Sequence, residues 1–139
     1  IDREKYAPAS GLHAGGYVLY DSKPRPDIIL IGTGSEVSLC LKAAQTLEEE
    51  GRAVRVVAMP STCIFDRQPE KYRNAVLPPD VTRRLAVEAG ATIGWYKYVG
   101  MGGDVLGVDR FGASAPDKVI FEKLGLTVEG VLARARALK

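Results

Sequence analysis

Apolar residues follow two different rhythms along this chain, and the change from one to the other marks its central unit. Ile28, Ile29, Leu30 and Ile31 run without a polar interruption. A β-branched and apolar run of this kind reads as a strand covered on both faces, as in a parallel sheet. Beyond Gly32-Thr33-Gly34 the spacing turns helical. Val37, Cys40, Leu41, Ala44 and Leu47 share one face, and Glu48, Glu49 and Glu50 make a wet end. The glycines allow a tight turn between strand and helix, because a residue without Cβ reaches positive φ at little steric cost. Ser35 stands where an N-cap belongs, with a hydroxyl able to accept from a first-turn amide. Gly51 closes the helix, and residues 53–59 (AVRVVAM) begin a second buried run. Strand, helix and strand within about 30 residues form a βαβ unit, nearly always right-handed.

The flanking stretches are less regular. Residues 1–16 show neither period, with Pro8, Ser10, Gly11, Gly15 and Gly16 as breakers. We read 1–15 as a linker from a preceding domain and 16–139 as the domain itself. Residues 17–20 (YVLY) form a short strand joined to the next only by DSKPRP, 21–26. A parallel crossover needs about a dozen residues or more, so these two strands are expected antiparallel and side by side, in a mixed sheet. Residues 62–79 read as mostly irregular, with one short helix over 69–75 that places Pro69 at its first position. Strands are expected at 83–89 and 105–108, while Gly94 leaves 92–99 open between helix and loop. Ser114 and Asp117 have capping-box spacing for a helix over 114–123. Thr127 caps a last helix whose buried face is Val128, Val131, Leu132, Ala135 and Leu138. Trp95-Tyr96-Lys97-Tyr98 crowds three rings into four positions, so at least one ring is expected to lie outside the core.

Composition narrows the function classes. With 139 residues the chain makes one domain, and its 46% hydrophobic and 26% charged content is that of an ordinary globular protein. A formal charge of +2 argues for neither nucleic acid nor an anionic membrane as partner. No apolar run approaches the ~20 residues that span a bilayer. The opening IDREKYAP has no initiator Met and no signal-peptide core, which suggests a piece of a longer polypeptide. Cys40 and Cys63 lack metal or redox spacing and read as reduced thiols of a cytoplasmic protein.

Candidate chemistry is sparse. Gly32, Thr33, Gly34 and Ser35 follow a strand and open a helix, the context in which free amides can bind an anion. The dinucleotide fingerprint would require glycine where Val37 stands and a carboxylate where Met59-Pro60 stands, and no phosphate-loop Lys follows. Glu36 also competes for the positive helix end. A small-anion or nucleotide-binding regulatory site at this turn therefore stands beside a purely structural turn. His13 is the single histidine, without a nearby partner, and Asp104 and Asp109 are not placed to converge. No residue is assigned to catalysis, to cofactor binding or to a metal.

Six collinear stretches together resemble the C-terminal, third domain of transketolase. They are DREKYAPASGL leading into GGYVLYD, LIGTGSEVSLCLKAA, VRVVAMPSTCIFDRQPEKYRNAVLP, AVEAGATIGWYKYVG and DRFGASAP, and they cover nearly the whole chain. GWYKYVG and DRFGASAP favour transketolase over the deoxyxylulose-phosphate synthases and pyruvate dehydrogenase components. The resemblance implies an α/β fold, a three-layer α/β/α sandwich with a mixed five-stranded sheet ordered 1-3-2-4-5 and the first strand antiparallel. It implies a parent enzyme that moves a two-carbon ketol unit between sugar phosphates in the pentose phosphate pathway. That enzyme would be a cytoplasmic homodimer using thiamine diphosphate and a divalent metal, magnesium or calcium. The cofactor motif belongs to the preceding domains of the same polypeptide and is not found here. The resemblance therefore implies a non-catalytic structural and interface domain.

Overall fold

One sheet carries the molecule, built from β1 (Tyr17–Asp21), β2 (Ile28–Gly32), β3 (Val54–Ala58), β4 (Arg84–Glu88) and β5 (Asp104–Gly107). The computed structural model describes residues 9–89, 93–107 and 126–139. The strand order is β1-β3-β2-β4-β5, with β1 antiparallel to β3 and the remaining pairs parallel. This is the order implied by the resemblance. It corrects the placement of β1 beside β2 that the short connection suggests. A short loop fixes direction, because the chain cannot cross back over the sheet, but it leaves the choice of neighbour open. Register slips between Val18 and Tyr20, so β1 joins β3 through a bulge.

Helices cover both faces. On one side lie α1 (Glu36–Glu49) and α5 (Val128–Ala137). On the other lie α2 (Thr62–Asp66), α3 (Glu70–Val76) and α4 (Tyr96–Val99). The alternation along β2 divides the core accordingly. Ile28 and Leu30 pack with Cys40, Leu47 and Val131, while Ile29 and Ile31 pack with Phe65, Val76 and Tyr98. All five β2 residues are buried, as expected of a strand covered twice. At the end of α1, Gly51 takes φ +89° and the Arg52 amide donates to the Leu47 carbonyl at 3.0 Å, a left-handed helix stop. Thr127 caps α5 as expected, accepting from the Gly130 amide at 3.1 Å.

Two elements differ from the sequence reading. Residues 9–14, inside the stretch read as linker, form a 3-10 helix. The chain is then pinned where it enters β1: the Ser61 amide donates to the Gly15 carbonyl at 2.9 Å, and the Tyr72 hydroxyl to that of Gly16 at 2.8 Å. α2 occupies part of the stretch read as irregular, and Ser61 caps it by accepting from the Ile64 amide at 3.3 Å. A helix of barely more than one turn has no periodicity to reveal it. The helix expected over 114–123, together with Val108, Asp109 and residues 1–8, lies outside the described residues.

Candidate functional site

The glycine turn was the first candidate, and its geometry is set by packing. Gly32 ends β2 where a Cβ would come within 3.0 Å of the Val37 Cα and 3.1 Å of the Cys40 Sγ, so its bareness lets α1 approach the sheet. Gly34 turns the chain with φ +53°. The first amides of α1 are already engaged: Glu36 N donates to the Thr33 carbonyl at 3.0 Å and Ser38 N to that of Ser35 at 3.3 Å. Ser35 corrects the expectation of an N-cap. Its backbone is helical (φ −69°, ψ −19°), and its hydroxyl donates to Glu36 Oε1 at 3.0 Å instead of accepting from an amide. The Thr33 hydroxyl likewise donates to Glu88 Oε2 at 3.1 Å. An anion arriving at Gly32, Thr33, Gly34 and Ser35 would meet two carboxylates and few free amides. This arrangement favours the structural turn.

The other sequence candidates do not converge. His13 is exposed on the 3-10 helix. Asp104 accepts from Arg134 Nη1 at 2.9 Å, an ion pair between β5 and α5. Cys40 is buried under α1, and burial, with the Glu36 charge in second place, pushes its thiol up to about 12. Cys63 is exposed, and neither cysteine forms a disulfide. Among the described residues no group of three or more His, Cys, Asp or Glu side chains could hold a metal.

A cleft that sequence reasoning missed lies among α2, α3 and α4, with a volume of about 250 Å³. Asp66, the last residue of α2, accepts from Lys97 Nζ at 2.8 Å and from the Tyr98 hydroxyl at 2.9 and 3.0 Å. Burial raises the Asp66 carboxyl, but the Lys97 and Tyr98 hydrogen bonds and the charges of Lys97 and Arg73 outweigh it and hold the group low. The same burial, followed by the bond to Asp66, pushes the Tyr98 hydroxyl up to about 12. Arg84 forms the floor of the cleft. Its Nε donates to the Val81 carbonyl at 2.9 Å, Nη1 to Tyr98 at 2.8 Å, and Nη2 to Leu77 at 3.2 Å and Pro78 at 2.7 Å. Arg73 contributes from α3, its Nε donating to the Gln68 carbonyl at 3.0 Å. These side chains come from separate short stretches of the sequence, so no local motif marks the cleft.

Beside it, the aromatic segment splits as a helical turn requires. Trp95 and Tyr98 point inward, 7% and 6% exposed, whereas Tyr96 is 52% exposed and Met101 stands fully in solvent.

Comparison with known proteins places these features in context. Residues 15–127 match the family described as the transketolase-like TK C-terminal domain. A transketolase from Nostoc sp. is 53% identical over 124 residues, which are 89% of this chain and 18% of that protein. Transketolase 2 of Vibrio parahaemolyticus is 56% identical over 124 residues, again 89% of this chain and 19% of its relative. The solved transketolase from Leishmania mexicana matches with a TM-score of 0.85 and 43% identity, over 93% of this chain and 18% of that one. The chain thus spans about a fifth of the length of the relatives it matches.

Proposed function

This chain belongs to the transketolase-like C-terminal domain family, and on that premise we propose that it is the non-catalytic structural and interface domain of a transketolase. The parent enzyme, in this reading, transfers a two-carbon ketol unit between sugar phosphates in the pentose phosphate pathway. Thiamine diphosphate and its divalent metal are held by the preceding domains, and the enzyme works as a cytoplasmic homodimer. This domain contributes fold and contact surface. The observation that carries the interface role is the outward pair Tyr96 and Met101, set on a segment whose other rings are buried. Aromatic residues and Met are enriched at protein contacts, and a solvated apolar knob on one part of a larger protein is a natural docking point.

The test uses tryptophan fluorescence. Trp95→Phe with Tyr96→Trp puts the single indole at the exposed position, in this chain and in the parent enzyme with its other tryptophans replaced. Acrylamide should quench the indole several-fold less in the parent, where a neighbouring domain or subunit covers it. Equal quenching in both contexts would show that Tyr96 faces water in the assembly and would remove the interface role from this segment.

A further inference from the structure

Most arginines described here face a carboxylate. Arg25 pairs with Asp80, Arg52 with Asp27, Arg55 with Asp21, Arg134 with Asp104 and Arg136 with Glu50. Arg67, Arg73, Arg83 and Arg84 do not, among the described residues, and of these Arg73 and Arg84 line the cleft among α2, α3 and α4. The third cation there, Lys97, is matched by Asp66 at 2.8 Å. Three cations against one carboxylate leave the lining with a net charge of +2.

The two unmatched guanidiniums of the cleft differ in what they offer. Arg84 is bonded at all three nitrogens to main-chain carbonyls, which fix it in place without cancelling its charge. Arg73 is anchored only through Nε; its two terminal nitrogens make no bond to a described residue. Arg73 helps hold the Asp66 carboxyl low through its field but forms no ion pair with it. The cleft therefore contains one rigid positive charge and one free planar fork. Phe65, Leu77 and Pro79 supply an apolar wall beside them.

We propose that this cleft binds a phosphate monoester. The fork of Arg73 grips the phosphate oxygens, the field of Arg84 balances the second charge, and the organic part lies against Phe65, Leu77 and Pro79. A guanidinium matches phosphate oxygens two at a time, and a monoester carries about −1.5 to −2 charges at pH 7, the complement of this lining. A volume of about 250 Å³ suits an ester of a few carbons. Asp66 works against the ligand, both as a like charge and by engaging Lys97.

The test is an amide chemical-shift titration of the full chain at low salt with glycerol 3-phosphate and with inorganic phosphate. Saturable shifts are expected at Asn74, Lys97 and Tyr98, with the ester at least about three-fold tighter because it also covers the apolar wall. Arg73→Gln should weaken binding about ten-fold, and Asp66→Asn should tighten it about five-fold. The second variant keeps an acceptor for Tyr98, and damage to the fold could not produce a gain in affinity. Shifts that stay linear to about 50 mM ester, an unchanged response in Arg73→Gln, or no gain in Asp66→Asn would each overturn the proposal.

Discussion

Gly15 and Gly51 share a left-handed backbone, φ +78° and +89°, yet they stand in opposite surroundings. A Cβ on Gly51 meets nothing within 4 Å, whereas one on Gly15 overlaps the backbone nitrogen of Phe65 and the carbonyl of Ser61. Gly51→Ala should therefore cost only the conformational penalty, about 1 kcal/mol. Gly15→Ala adds a clash with main chain that cannot rotate away and should cost about 3 kcal/mol or more. Urea unfolding of the two variants measures the difference. Equal costs would mean that the segment preceding β1 is not held against α2. Ser35 shows where residue-level reading stops. Its position relative to α1 was legible, but the preference of its hydroxyl for Glu36 over an amide depends on where the Glu36 carboxylate is buried.

Among the elements, β2, α1 and β3 were readable because each repeats its period over several residues and glycine punctuates the changes. α2 was not, being five residues long, and the neighbour of β1 was not, because pairing joins distant segments. Arg55 ties these less legible parts together. It sits within the buried run of β3 and forks onto Asp21 of β1 at 2.8 and 3.1 Å. Its Nη1 also donates to the Ala75 and Val76 carbonyls at the end of α3, at 2.9 and 3.1 Å. One guanidinium thus joins an edge strand to the helix across the sheet face. Arg55→Ala should cost about 2–4 kcal/mol, moderated by the solvent that still reaches Asp21. Arg55→Lys should recover less than half, since an ammonium cannot reproduce the fork. Thermal unfolding of the pair reads this out, and full rescue by Lys would reduce the role of Arg55 to charge alone.

At the scale of the whole molecule, each face of the sheet holds a group that keeps its proton in the folded state. Cys40 and Tyr98 are both raised to about 12, from ordinary values of 9.0 and 10.0, chiefly by burial. In the unfolded chain these groups deprotonate first, so above pH 9 the native state binds more protons and stability falls as pH rises. The contribution is intact below 9 and is lost progressively toward about 12. Urea midpoints should be steady from pH 7 to 9 and then drop, and Cys40→Ala should remove the earlier part of the decline. A midpoint unchanged up to pH 11 would contradict this. The cleft belongs to this scale too, since α2, α3, β4 and α4 each supply one or two residues that only the complete fold brings together. The strand order also has a consequence during synthesis. Of the five strands of this sheet β1 leaves the ribosome first, but its partner is β3, and Ala58 is the residue opposite Tyr17. At ordinary elongation rates β1 must wait roughly 2–8 s for that partner, with β2 and α1 made in the interval. During that wait the βαβ unit has no finished edge, and β1, already carrying Leu19 and its aromatic neighbours, is free for a chaperone to hold.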